Sequence, residues 1–250
     1  MSFSLEIIKN IVRSKEDENQ LKTITYNEEN IKNLNHNFKN VVVKKPWGYE
    51  YLFFTSPELS IWILKILNNQ KTSMHCHKGK KTSLILLEGE ANVYTLNDTL
   101  KLKSGNIITI DQGAFHRTSS EFDKDILVME IETPTNKNDI IRLKDEYKRS
   151  NSGYETKQFF TKIEEKKLYL NYEDAKKKPV ILGNYQIGII NSDSNNIDEI
   201  LTKNLLFPIK TNIEDDPEKK KLGEIYNQNL PKDKSSLFAK FQEFLVIKQK

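Results

Sequence analysis

From Val41 onward the chain breaks into short apolar runs separated by polar turns: residues 41–43, 51–54, 61–67, 83–87, 91–96, 107–110 and 126–131. Runs this short, rich in Ile, Val and Phe and bounded by Gly, Asn, Asp or Ser, read as strands; a succession of them predicts a mainly β sandwich or barrel. The first forty residues differ. Apolar positions within residues 5–12 recur at helical spacing and predict a short amphipathic N-terminal helix, and a polar, Asn-rich connector follows. Pro134 closes the strand region. Residues 137–149 then read as a helix capped by Asn138 or Asp139, with Asp139, Arg142, Asp145 and Arg149 capping and bracing it.

The last hundred residues carry apolar runs at 180–182, 185–190 and 244–247, a helical stretch at 196–202 and a charged loop at 214–221. The expected organisation is therefore an N-terminal helix and connector (1–40), a barrel with its following helix (41–149), and an accessory region (150–250). That last region is either α+β or a degenerate second barrel. No histidine follows His116, so a second barrel there would carry no histidine metal site.

Three of the four histidines supply the chemistry. His75 and His77 are one residue apart, so on a strand they share a face. His116 comes about forty residues later, after two turn signals, the distance needed to run out along a hairpin and return beside the first strand. Three neutral imidazoles suit one divalent transition metal such as Zn, Fe, Mn or Ni, and leave coordination positions open for water or substrate. The alternative is a set of core histidines satisfied by hydrogen bonds. Cys76, between the first two, points to the opposite face and reads as packing.

The residues around the histidines resemble the two motifs of the cupin superfamily. The first has His75-Cys76-His77 followed by Gly89; the second has Gly105, the apolar strand at 106–110, the turn glycine Gly113, and His116. The resemblance narrows with Lys45-Pro46-Trp47-Gly48-Tyr49-Glu50, Val128-Met129-Glu130-Ile131-Glu132 and Asn138-Asp139-Ile140-Ile141-Arg142. With residues 143–149 these look like the cupin domain of type II mannose-6-phosphate isomerases, over roughly residues 44–149. That family usually carries Gln where His75 stands and Glu where this chain has Thr82, so one ligand has moved. The resemblance implies a double-stranded β-helix (jelly-roll) barrel binding one divalent metal through His75, His77 and His116. It also implies a sugar-type substrate, with isomerase or epimerase chemistry in carbohydrate or surface-polysaccharide metabolism. Two other readings stay open: a three-histidine Fe(II) dioxygenase, or a sugar-binding cupin without catalysis.

Three further residues are candidates for catalysis. Lys81 could reach a phosphate or carboxylate, or belong to a solvated loop. Arg117, beside His116, could orient an anionic group or form a surface ion pair. Glu130 could be a general base if it faces inward; alternation sets it opposite Leu127, Met129 and Ile131 without saying which set is interior. Trp47 and Trp62 read as core aromatics, or as a stacking platform if one lies at the barrel mouth.

Composition narrows the partners. A net charge of +4 over 250 residues, with Lys and Glu interspersed, offers no basic face for nucleic acid. The lone cysteine excludes an internal disulfide and points to a reducing compartment. No apolar stretch approaches membrane-spanning length, and the start lacks a signal-peptide plan, so a cytoplasmic protein with no membrane partner is expected. The cupin resemblance implies pairing through strand edges and barrel faces, which also removes exposed edges, so a homodimer is the default expectation.

Overall fold

The computed structural model describes residues 5–24, 37–56, 58–120, 123–144, 159–162, 169–192, 204–211, 222–226 and 239–250. Strand β1 (Glu6–Ile11) and helix α1 (Lys15–Thr23) lead into β2 (Val41–Lys45), β3 (Gly48–Thr55), β4 (Ser60–Ile66) and β5 (Met74–Cys76). Next come β6 (Lys81–Glu88), β7 (Glu90–Tyr94), β8 (Thr99–Lys103), β9 (Asn106–Ile110), β10 (Arg117–Ser119), β11 (Ile126–Thr133) and β12 (Ile141–Lys144). The C-terminal part holds β13 (Phe160–Lys162), α2 (Tyr172–Lys177), β14 (Val180–Leu182), β15 (Tyr185–Asn191), β16 (Asn204–Thr211) and β17 (Phe241–Gln249).

The protein is mainly β, and the barrel is a jelly roll. One sheet has the order β1-β9-β6-β11-β4-β3-β2-β13. The facing layer is built from β8-β7-β10 and the pair β5-β12, joined by the bridges Lys71↔Ser119 and His75↔His116. From β4 to β12 the chain passes repeatedly between these layers, the winding of a double-stranded β-helix. Each of the seven apolar runs read from the sequence lies in or overlaps a strand. Gly89 makes the tight β6–β7 turn possible: its φ is +88°, and an added Cβ would sit 2.8 Å from the Ile126 side chain.

Alternation decides which residues face inward. Leu84 and Leu86 of β6, with Val128 and Ile126 of β11, pack inside the barrel beside Trp62, Leu64 and Ile108. Their odd-numbered neighbours Ile85, Leu87, Met129 and Ile131 face the other way. There they pack against Tyr185, Ile187, Phe207 and Leu245 of an antiparallel sheet with the order β14-β15-β17-β16. Both faces of the long sheet are therefore apolar. Each fully buried Ile or Leu contributes about 1.5–3 kcal/mol. Among its described residues the C-terminal region holds this four-stranded sheet, with α2 packed near β15. The expected strands at 180–182, 185–190 and 244–247 are present, while the expected helix at 196–202 and the loop at 214–221 lie outside the described residues.

Two helices read from the sequence are corrected. Residues 6–11 form a strand pairing in parallel with β9, and the N-terminal helix begins only at Lys15. Ile7, Ile8 and Ile11 fit a helical stripe, but a short β-branched run satisfies its backbone equally well along an open sheet edge. Ile7 and Ile8 stay 37% and 41% exposed, so no buried stripe ever formed. Residues 141–144 likewise pair with β5 instead of continuing a helix from Lys137. Asp139 caps a loop and not a helix: its carboxylate accepts from the Lys78 and Gly79 amides at 2.9 and 2.8 Å. Asp145 and Arg149 lie outside the described residues.

Candidate metal centre

The three histidines converge because the facing layer brings β5 beside the start of β10. His75 and His116 form a narrow antiparallel pair, each amide donating to the other's carbonyl at 3.0 and 2.8 Å. His77 lies one residue beyond β5, on the face His75 uses. Ring centroids are 4.5 Å apart for His75–His116, 5.0 Å for His75–His77 and 5.5 Å for His77–His116. One ligand atom from each of the three lies within 4.8 Å of the others, and all three residues are buried.

Each Nδ1 is held by a main-chain carbonyl: His75 by Ser73 at 2.7 Å, His77 by Asp139 at 2.5 Å and His116 by Ala114 at 3.1 Å. A carbonyl only accepts, so each Nδ1 carries the proton and each Nε2 presents a lone pair. The Nε2 atoms of His77 and His116 are buried with no hydrogen-bond partner among the described residues. Buried polar atoms left this way are costly unless something binds them. Fixed tautomers and converging lone pairs fit a divalent metal, with the carbonyls as the outer groups that orient its ligands.

Burial drives the imidazole pKa values down, reinforced by His116 beside His75 and by Lys80 beside His77; His116 is lowered to about 4. The histidines are therefore neutral ligands across the physiological range. The lowered values also fix an expected stability profile for the metal-free protein. The unfolded chain takes up protons below its ordinary histidine value of about 6.5 while the folded one does not, so stability is full above that pH and falls on the way to about 4. Each histidine contributes about 1.4 kcal/mol per pH unit in that window. Glu130 opposes one of them, because its raised pKa stabilises the folded state as the pH falls below about 7. Three histidines against one glutamate leave a net loss on acidification. Urea midpoints between pH 7.5 and 4.5 measure it, and a flat profile would contradict three buried neutral rings.

Glu130 and Glu132 sit on the interior face of β11, which settles the open question about Glu130. With His77 they form a second group whose ligand atoms lie within 4.8 Å of one another. Glu132 is committed: it is ion-paired to Lys80, and its Oε2 accepts from Ser60 at 3.1 Å. Burial raises its pKa, but Lys80 and Lys137 with the Lys80 and Ser60 hydrogen bonds outweigh that and hold it low. Burial, and then the Glu132 charge, raise Glu130 to about 7. Thr82 lies directly opposite Glu132 in the β6–β11 register, with its hydroxyl buried and unpartnered among the described residues. A carboxylate thus remains in this layer of the barrel, one strand over.

Two expected site residues are placed elsewhere. Lys81 is exposed on the outer face, and Lys80 is the lysine that enters the cavity, 1% exposed. Counting by twos from His75 and His77 selects Lys81, but the turn at 78–79 shifts the phase so that 80, 82 and 84 face inward. Arg117 alternates away from His116 and lies over the Tyr94 ring, 5.0 Å from its centroid. The cavity guanidinium is instead Arg142, which pairs with His75 across β12 and β5. The cavity, about 70 Å³, is also lined by Lys45, Trp47, Glu50 and Lys137. Lys137 bonds Glu50 at 2.7 Å and lies 3.6 Å over the Trp62 ring. Both tryptophans are buried. Cys76 is fully buried on the opposite face, and burial pushes its thiol up to about 12.

No family model matches the chain, and no curated protein does. Solved structures do. A sugar phosphate isomerase of the cupin superfamily from Silicibacter pomeroyi aligns at 14% identity over 31% of this chain and 52% of its own, TM-score 0.30. KdgF from a Halomonas species aligns at 16% over 37% and 84%, TM-score 0.35. The capsular polysaccharide assembling protein CapF from Staphylococcus aureus aligns at 16% over 42% and 34%, TM-score 0.38. The chain thus spans about half of the first structure and a third of the last. Superpositions this partial assign no activity. No helix among the described residues is long and apolar enough to cross a membrane.

Proposed function

We propose that the protein is a metal-dependent isomerase or epimerase that moves a proton on the carbon beside a carbonyl, in a sugar phosphate or related polyhydroxy compound. The observation that carries this reading is Glu130, a buried inward carboxylate with an oxygen within 4.8 Å of a ring nitrogen of His77, one of the three converging histidines. A divalent metal held by His75, His77 and His116 would supply Lewis-acid polarisation of the substrate's carbonyl and neighbouring hydroxyl oxygens. Glu130 removes the intervening proton, holds it as the carboxylic acid and returns it to the adjacent carbon while the hydroxyl proton passes to the former carbonyl oxygen, or, in an epimerisation, returns it to the opposite face of the turned substrate. Its raised pKa places it near neutral pH, where one group serves as base and then acid. Lys80 keeps Glu132 ionised and occupied, and Lys45 and Lys137 pair with Glu50, which leaves Glu130 for the chemistry. Arg142, Lys45 and Lys137 supply positive charge for an anionic group. A cavity of about 70 Å³ has room for a few water molecules, so it holds the reacting carbons and not a whole sugar phosphate.

Incubation of metal-loaded protein in D₂O with hexose phosphates, heptose phosphates and nucleotide sugars tests the proposal without knowledge of the product. Deuterium should enter beside the carbonyl of at least one compound, as read by NMR. No incorporation, together with O₂ uptake on iron loading, would replace this reading by a dioxygenase, which three neutral histidines also suit. Silence in both assays with tight sugar binding would leave a binding module.

A further inference from the structure

We propose that Asp17, which does not itself line the cavity, is a positioning residue for His116, acting through a single peptide group; this rests on the three histidines binding metal. The sequence around it is an ordinary helix start. Ser14 caps α1, its N–H and hydroxyl both donating to Asp17 Oδ2 at 2.7 Å while Asp17 N–H donates back to Ser14 Oγ at 3.1 Å. Such an acid normally faces water. Asp17 is only 4% exposed, and its second oxygen does other work. Oδ1 accepts from the Phe115 N–H at 3.0 Å, across 98 residues of sequence.

That N–H belongs to the peptide unit whose carbonyl is Ala114 O. The same carbonyl accepts the Nδ1 proton of His116 at 3.1 Å. One planar peptide thus links the two: the carboxylate takes its N–H, and its C=O holds the imidazole. A charged acceptor at the N–H end polarises the unit and strengthens the hydrogen bond at its carbonyl end. The arrangement is a carboxylate–histidine pair with a peptide inserted between the partners, fixing the tautomer and aim of His116. Packing holds it in place. Phe115 is fully buried with Cys76 and Ile141, and Leu21 and Ile24 at the far end of α1 pack on that cluster. The Asp111 N–H donates to Ile11 O at 2.9 Å, so β1 and α1 together clamp the loop that carries His116.

The experiment compares zinc affinity, by chelator competition, and the visible spectrum of the cobalt-substituted protein in wild type and three variants. Asp17→Ala removes the acceptor and should weaken zinc binding ten- to a hundredfold, with a changed cobalt spectrum. Asp17→Asn keeps an oxygen for the Phe115 N–H without the charge, and should retain the wild-type cobalt spectrum with an intermediate affinity. Ser14→Ala weakens the helix cap and removes the hydroxyl donor to Oδ2, but it keeps the Oδ1 bond to the Phe115 N–H and should bind as wild type does. Should Asp17→Ala fail to fold, Asp17→Ser, which keeps a polar group at the cap but cannot span to Phe115, takes its place. Equal affinities in wild type and the Asp17 variants, or a loss in Ser14→Ala as large as in Asp17→Ala, would overturn the proposal while leaving the metal site standing. Wild-type protein that takes up no zinc would defeat the metal reading and this proposal together.

Discussion

Replacement of His77 by alanine should strip the protein of stoichiometric divalent metal, a larger loss than either other histidine substitution produces. His77 is the one residue common to both ligand groups, the three histidines and the set it forms with Glu130 and Glu132. Without it both groups fall to two donors. His75→Ala or His116→Ala instead leaves an imidazole and two carboxylates close enough to retain metal weakly. Elemental analysis of the four proteins after dialysis is the measurement; about one metal per chain in the wild type and none in His77→Ala is the expected result. The substitution also leaves the Asp139 carbonyl without its donor, at a cost of about 1–3 kcal/mol, which a barrel with this much apolar burial tolerates. Circular dichroism should therefore show a folded protein. Stoichiometric metal in folded His77→Ala would remove these histidines as the ligand set.

The parts of the site legible in the sequence are those carried by short-range periodicity. Two histidines one residue apart on a strand must share a face, and the long strands announce themselves by runs such as residues 61–67 and 126–131. What could not be read there depends on phase or on distant partners. Lys80 enters the cavity and Lys81 does not because a two-residue turn shifts the alternation by one position. Arg142 reaches the cavity because residues 141–144 pair with β5, a register that a helix-like charge pattern concealed. The three-residue strands β5 and β10 are too short for any periodic signal, yet they carry or flank all three histidines. Glu132 opposite Thr82, and Asp17 under Phe115, are set by strand register and by helix docking across the molecule. Asp17 falls in what reads as a polar connector, and nothing local showed that it opens a helix or that its second oxygen is engaged elsewhere.

Replacement of Glu130 by glutamine should separate proton transfer from metal binding. Glutamine keeps the size of the side chain and removes its capacity to take up a proton. Three histidines remain to hold the metal, so metal content should stay near one per chain. Solvent deuterium incorporation should fall by about 10²–10⁴, the usual contribution of a positioned general base. Glu132→Gln should behave differently, because Glu132 is the partner of buried Lys80 and Ser60. Leaving the Lys80 ammonium buried without its counter-charge should destabilise the fold by about 3–5 kcal/mol and lower activity through lost protein. Denaturation midpoints, metal content and exchange rates measured on both variants distinguish the two carboxylates. Wild-type exchange in Glu130→Gln would take the base role away from Glu130, and an equal loss of metal and exchange would make Glu130 a ligand instead.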